Sequence, residues 1–304
     1  MKLYPINVME FQEAFPTDKA CFEYLCIVRW PDGFDCPYCH HREAWKMKRH
    51  ILRCKQCKRD ISVTAGTIFQ DRRLPLTLIF QAMWYVVCQK QGVSALGLQS
   101  ILGLGSYRIV WAWLHKLRIA MVRPGRDLLS GTVEVDETLV GGERSGKRGR
   151  GAEGKELVLV AVEDQGKKGM GRIRLKYIPD ASGPTLEKAV AELVEPGSKV
   201  RTDGWRGYNA LKRKGFNHMV MKHTEDLPGD SPTPMVDLIA SLLKRWLLGT
   251  HQGAQHLSHL HYYLDEFTFR FNRRTSSSRG KLFYRLVQQS LQVESAPLSS
   301  FNST

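Results

Sequence analysis

No apolar run in the 304 residues approaches the ~18 that a membrane-spanning helix needs, and the opening MKLYPINVMEFQEAF lacks a signal-peptide core. A soluble protein of the cell interior is therefore expected, with no membrane partner. Internal repeats and long low-complexity tracts are also missing, which excludes repeat and fibrous architectures. Acidic residues are scarce: 30 Asp+Glu face 45 Lys+Arg, a net charge of +15. That excess favours a polyanionic partner through attraction to phosphates and counterion release. Cysteine is present in an odd number, seven, and four of the seven form two tight pairs. Without a secretory signal, that pattern argues against a disulfide framework and for metal binding. A hydrophobic content of 42% with 25% charged residues excludes wholesale disorder, and the length suits two or three domains.

Cys36-Pro-Tyr-Cys39 and Cys54-Lys-Gln-Cys57 are two CxxC knuckles with 14 residues between them. Four thiolates at that spacing can converge tetrahedrally on one structural zinc ion and close its shell, so His40, His41 and His50 are not needed as ligands. Cys21, Cys26 and Cys88 lie in apolar patterns and are expected in the core. Residues 42–59 carry eight Lys/Arg against one acid, Glu43. A domain this small must present that charge to solvent or to phosphate, and the interleaved Trp45 and histidines favour nucleic acid.

From Leu76 to about Ala120 the pattern is helical, broken at Gly92 and at Leu102–Gly105. Three short helices with a turn before the third fit a helix-turn-helix. Residues 123–131, RPGRDLLSG, read as a linker. Beyond it GTVEVDETLVGG, KELVLVAVED and RIRLKYIPD read as strands, followed by the helix PTLEKAVAELV and the strands SKVRTDG and NHMVMKH. Two helices are expected around 234–248 and 255–272, which completes a mixed α/β domain. The boundaries expected are 1–70 for a lead-in and zinc ribbon, 71–127 for the helical DNA-binding segment, 128–285 for the α/β domain and 286–304 for a tail.

In GTVEVDETLVGG the alternation puts Glu134 and Asp136 on one face of a strand and Val133 and Val135 on the other. An acid in so apolar a strand is costly unless a cation meets it. Asp203 lies where a strand reaches a glycine turn. Asp237 and Lys244 are seven apart on one face of the helix PMVDLIASLLKRWLLG. Trp205 and Tyr208 read as core residues or as stacking surfaces for a displaced base. In FTFRFNRR (267–274) Phe267 and Phe271 read as packing, with Arg270, Arg273 and Arg274 left for DNA. The basic loop ERSGKRGRG (143–151) reads as a phosphate contact or a solvated hairpin.

Five motifs in this order, CPYC…CKQC, VTAGTIFQDRRLPL, VEVDETLVGG, RTDGWRGY and SLLKRWLLGTHQG…HYYLDEFTFRFNRR, resemble the ISXO-like DDE transposases of bacterial insertion sequences. The likeness runs from about residue 20 to 285. It implies a ribonuclease H-like catalytic domain behind a zinc ribbon, with the three acids at Asp136, Asp203 and Asp237 and a basic residue at Lys244. Glu, Asn or His is the family's expectation at the third position, so Asp237 is a departure, and Glu266 is the alternative third acid. The resemblance further implies two Mg²⁺ ions (Mn²⁺ as a substitute) held by those acids, double-stranded DNA as partner, a homo-oligomer on that DNA and a bacterial cytoplasmic, nucleoid-associated location. The implied activity is 3′-end cleavage at terminal inverted repeats followed by strand transfer. A catalytically silent DNA-binding derivative is the alternative.

Overall fold

The computed structural model describes residues 3–123, 125–141, 155–221, 231–252 and 257–294, and the basic loop 143–151 lies outside them. The chain forms two compact units, residues 1–124 with 276–304, and residues 125–275. Among the described residues, no helix is long and apolar enough to cross a membrane.

The first unit opens with two helices, α1 (Val8–Ala14) and α2 (Asp18–Arg29), in the stretch that the sequence reading left as a lead-in. Both begin on side-chain caps: Asn7 accepts from Glu10 N–H at 2.9 Å, and Thr17 from Ala20 N–H at 3.2 Å. Three short antiparallel strands, β1 (Ala44–Lys46), β2 (Ile51–Cys54) and β3 (Asp60–Ser62), make the ribbon sheet. The expected helical trio follows as α3 (Leu76–Cys88), α4 (Ala95–Leu102) and α5 (Tyr107–Ala120). Gly103, at φ +60°, ends α4 in the left-handed conformation that a side chain disfavours, which makes the turn before α5. Most of α5 is buried, Trp113 included, so its outward contacts come from its first turn, where Tyr107 and Arg108 are exposed.

The second unit is built on one five-stranded sheet. Its strands are β4 (Thr132–Val140), β5 (Glu156–Asp164), β6 (Met170–Ile178), β7 (Lys199–Thr202) and β8 (Asn217–Val220), in the order β6-β5-β4-β7-β8. β4, β5 and β6 run antiparallel in sequence, whereas β7 lies parallel to β4 and β8 parallel to β7. This is a mixed sheet with flanking helices, the mixed α/β architecture expected from the sequence. Period-two alternation sorts β4 between two cores. Val133 and Val135 join Leu186, Val190 and Leu193 of α6 (Gly183–Leu193) on one face. On the other, Val158, Val160 and Val162 of β5 pack with α7 (Pro234–His251) and α8 (Leu260–Phe271), through Ile239, Leu243, Leu264 and Phe267. Glu134 and Asp136 therefore look toward α7.

The last helix, α9 (Arg279–Ser290), packs with α2, α3 and α5 in the first unit. The sequence reading had divided this segment between the sheet domain and a tail. Its amphipathic stripe, with Leu282, Phe283, Leu286 and Val287 buried, instead closes the helical core, where Phe283 meets Phe11, Phe80 and Trp84 edge-on.

Candidate active site and metal centre

The four knuckle sulfurs lie within 4.8 Å of one another, with Cys36 Sγ 3.7 Å from Cys57 Sγ and Cys39 Sγ 3.6 Å from Cys54 Sγ. A tetrahedron of thiolates at Zn–S ~2.3 Å has edges of about 3.8 Å, so this set fits a structural zinc ion. Each knuckle turns on a residue of positive φ, His40 at 55° and Lys58 at 60°, whose N–H returns to the carbonyl of Cys36 or Cys54. Desolvation raises the Cys54 thiol, but backbone N–H groups of Cys57 and Gln56 outweigh it and bring the group down to about 7, which favours the thiolate that a metal binds. His40 instead faces Asp35 at 3.3 Å. Part of the ribbon's charge is spent locally, in Arg53–Asp60 (2.6 Å) and Lys55–Glu43 (3.1 Å). Lys58 and Arg59 lie over the exposed rings of Trp45 and Tyr38, each 4.4 Å from the centroid.

In the second unit Asp136 sits mid-strand on β4 with both carboxylate oxygens engaged. Glu137 N–H donates to Oδ1 at 2.7 Å, and the Thr233 hydroxyl donates to Oδ2 at 2.8 Å. Burial pushes the Asp136 carboxyl up to about 6; these two hydrogen bonds oppose the rise, and the charges of Asp203 and Glu137 add to it. Asp203 follows the end of β7, a neighbour of β4, and accepts from Trp205 N–H at 2.9 Å. The fold thus brings Asp136 and Asp203, 67 positions apart in the chain, into electrostatic contact. Two hard oxygen donors, one of them a half-buried carboxylate whose charge burial disfavours, fit a divalent cation of the Mg²⁺ type.

Glu134, two residues before Asp136, has a different partner from the cation anticipated in the sequence. It is buried and accepts from the first-turn N–H groups of α7, Val236 at 2.8 Å and Met235. A helix N-terminus presents such unsatisfied donors and partial positive charge, so Glu134 caps α7 from across the sheet. Thr233 stands just before the helix, and its carbonyl receives Asp237 N–H at 3.1 Å. Asp237 itself is exposed on α7, on the face shared with Lys244. Desolvation and the neighbouring Lys155 lower the Lys244 ammonium, while Asp237 raises it. Among the described residues, the cysteines are the one group of three or more His/Cys/Asp/Glu side chains whose ligand atoms all lie within 4.8 Å, so Asp237 does not close onto Asp136 and Asp203 at single-ion spacing.

Glu266 is buried in α8 and bonded by Arg270, Nη2 to Oε1 at 2.6 Å. Arg270 is therefore not left for DNA as the sequence reading expected. Arg273 lies over the Phe269 ring at 4.1 Å, and Arg274 bonds the carbonyls of Met170 and Gly171. Tyr208 belongs to the core and donates to Glu137 Oε2 at 2.6 Å, whereas Trp205 stays exposed.

Comparison with known proteins shows what the two parts of the chain resemble. The family model described as an ISXO2-like transposase domain matches residues 128–272, and that of a transposase zinc-ribbon domain matches residues 16–60. Residues 128–272 are thus similar to the ISXO2-like transposase domain, and residues 16–60 to a transposase zinc ribbon. An uncharacterized protein in transposable element ISH50 of Halobacterium salinarum is 26% identical over 264 residues, covering 79% of this chain and 86% of that protein. Among solved structures, the catalytic core domain of BIV integrase aligns with a TM-score of 0.31 and 17% identity, over 45% of this chain and 81% of that one.

Within this ISXO2-like transposase domain the sequence reading missed Thr233 and the capping role of Glu134. Each acts on a partner about a hundred residues away, 97 for Thr233–Asp136 and 102 for Val236–Glu134, which local spacing cannot reveal. The one available signal was Thr233-Pro234, a capping-type residue before a first-turn proline.

Proposed function

We propose that this chain is an active DNA transposase that binds the terminal inverted repeats of its element, cleaves the 3′ ends and transfers them into target DNA. The observation that carries the reading is the pairing of half-buried Asp136 with Asp203 inside an ISXO2-like transposase domain. Asp136, Asp203 and Asp237 would hold the magnesium, and Lys244 with the basic ribbon would hold phosphates. When bound, the metal would supply activation of an attacking oxygen and stabilisation of the leaving one. Thr233 and Glu137 N–H fix the Asp136 carboxylate in one orientation, and Glu134 seats on the sheet the helix α7 that carries Asp237 and Lys244. Water attacks phosphorus at the element end, the P–O3′ bond breaks, and the freed 3′-OH then attacks a target phosphodiester, releasing a target 3′-OH. Two ends have to be handled together, so at least two copies assemble on DNA.

The test is a strand-transfer assay with labelled element ends and Mg²⁺. Wild type is expected to join DNA, and Asp136→Asn, Asp203→Asn and Asp237→Asn to abolish joining. Glu266→Gln, checked for folding by circular dichroism, retains it. Loss with Glu266→Gln but not with Asp237→Asn moves the third ligand to Glu266. A well-folded wild type that binds its ends but never cuts them establishes the second reading, a silent DNA-binding derivative. The exposure of Asp237, which forms no close group with the other two acids among the described residues, favours that second reading.

A further inference from the structure

Three residues after β7 the chain makes an unusual investment in one exposed ring. Gly204 has φ +89°, and a Cβ there would lie 2.7 Å from Val220 Cγ1, so the chain reverses where only glycine fits. The turn is further tied by Thr202 Oγ1, which bonds His218 Nε2 at 2.9 Å. Trp205 then donates its backbone N–H to Asp203 Oδ1 at 2.9 Å and its indole N–H to the Ala181 carbonyl at 2.9 Å. Beneath the ring, a Cβ on Gly207 would stand 2.9 Å from Trp205 Nε1, 2.6 Å from Leu186 Cδ1 and 3.0 Å from the Ala181 oxygen. The indole is thus fixed by hydrogen bonds and by close packing, yet 37% of Trp205 remains exposed, while Tyr208 three residues on is completely buried. Fixing a large ring without burying it forgoes the apolar stabilisation that core packing would give and prepares a flat surface whose ordering cost is already met.

We propose that Trp205 is a base-stacking platform beside the Asp136–Asp203 pair, taking an unpaired nucleobase adjacent to the phosphate under attack. This rests on the proposed DNA cleavage reading. Trp205 and Asp203 are linked through one hydrogen bond, so a base on the ring brings its own or the next phosphate toward the carboxylates. Arg206, also exposed, stands next in the chain to meet the backbone. Every base has a π-face, so the platform selects frayed or single-stranded ends over closed duplex and is tolerant of base identity.

The test uses full-length protein in Ca²⁺ and two DNA probes, a blunt hairpin duplex and the same hairpin with a short 3′ overhang carrying 2-aminopurine. Wild type is expected to prefer the overhang and to quench 2-aminopurine. Trp205→Leu is expected to weaken overhang binding about tenfold and abolish the quenching, with blunt-duplex binding unchanged. Trp205→Phe keeps an aromatic face but loses the bond to Ala181, and it is expected to stay within about threefold of wild type. Equal loss in Trp205→Phe and Trp205→Leu overturns the proposal in favour of a loop anchor, as does no loss in either. Because binding in Ca²⁺ requires no chemistry, a wild type that stacks the overhang base yet joins no DNA in Mg²⁺ defeats the cleavage reading alone.

Discussion

A single carboxylate sets the chemistry and the stability of the sheet unit against each other. The Asp136 carboxyl is pushed up to about 6, against an ordinary unfolded value near 3.9, so the native state holds its proton longer than the unfolded chain. In metal-free protein its contribution is most favourable below pH ~4, declines as pH rises toward 6, and stays at its least favourable above that. Asp136→Asn is therefore expected to stabilise the metal-free protein at pH 7.5 by about 1–3 kcal/mol, with no gain at pH 4. Thermal melts in EDTA at the two pH values check this. Mg²⁺ is expected to raise the midpoint of wild type at pH 7.5 and not that of the variant, because only wild type offers the ionised ligand. A lower midpoint for Asp136→Asn at pH 7.5 would mean that the carboxylate is already satisfied by protein groups alone.

At the scale of elements, α7 is held on the sheet through its backbone as much as through its apolar stripe. Replacing Glu134 by Ala leaves the first-turn N–H groups of Val236 and Met235 buried without their acceptor. The expected loss is about 1–3 kcal/mol, with faster amide exchange at those two positions than elsewhere in α7. Uniform acceleration along the helix would instead point to lost packing. The same helix shows what the sequence could disclose. Its existence, its proline start and the seven-residue spacing of Asp237 and Lys244 were legible, because they depend on local periodicity. What α7 docks onto was not, since Glu134 looks in sequence like any strand acid awaiting a cation. The strands β4 to β8 were likewise readable from alternation and glycine turns. The helices α1 and α2 were passed over although N-x-x-E at Asn7–Glu10 is a capping signal, with Ile6 N–H bonded back to Glu10 at 3.0 Å. Arg270 was misassigned because its buried partner, Glu266, lies four residues back on the same helix and its burial comes from tertiary packing.

For the whole molecule, the division into two units predicts separable responses to metal removal. Purified protein is expected to carry stoichiometric zinc, and chelation or Cys36→Ser to expose the ribbon, whose small core consists largely of the ligands with Ile61 and the flanking Trp30 and Phe34. Hydrogen exchange is expected to accelerate in residues 34–62, while β4, β5 and β6, with cores on both faces, keep their protection. Collapse of protection across both units together would show that zinc stabilises more than the ribbon. Loss of ribbon structure is also expected to shallow the salt dependence of DNA binding, since eight of the chain's cationic residues lie between positions 42 and 59.

The return of α9 to the first unit gives that unit a place in time. Its ribbon and first five helices leave the ribosome before the sheet does, but the helix that closes their core is made only after residue 279, more than 150 residues later. At ~5–20 residues per second the delay is on the order of 10 s, the interval in which the sheet unit is itself synthesised. A chain cut short by a premature stop thus keeps a zinc ribbon while lacking the finished helical core behind it, so completion of the first unit reports that translation has passed the sheet unit.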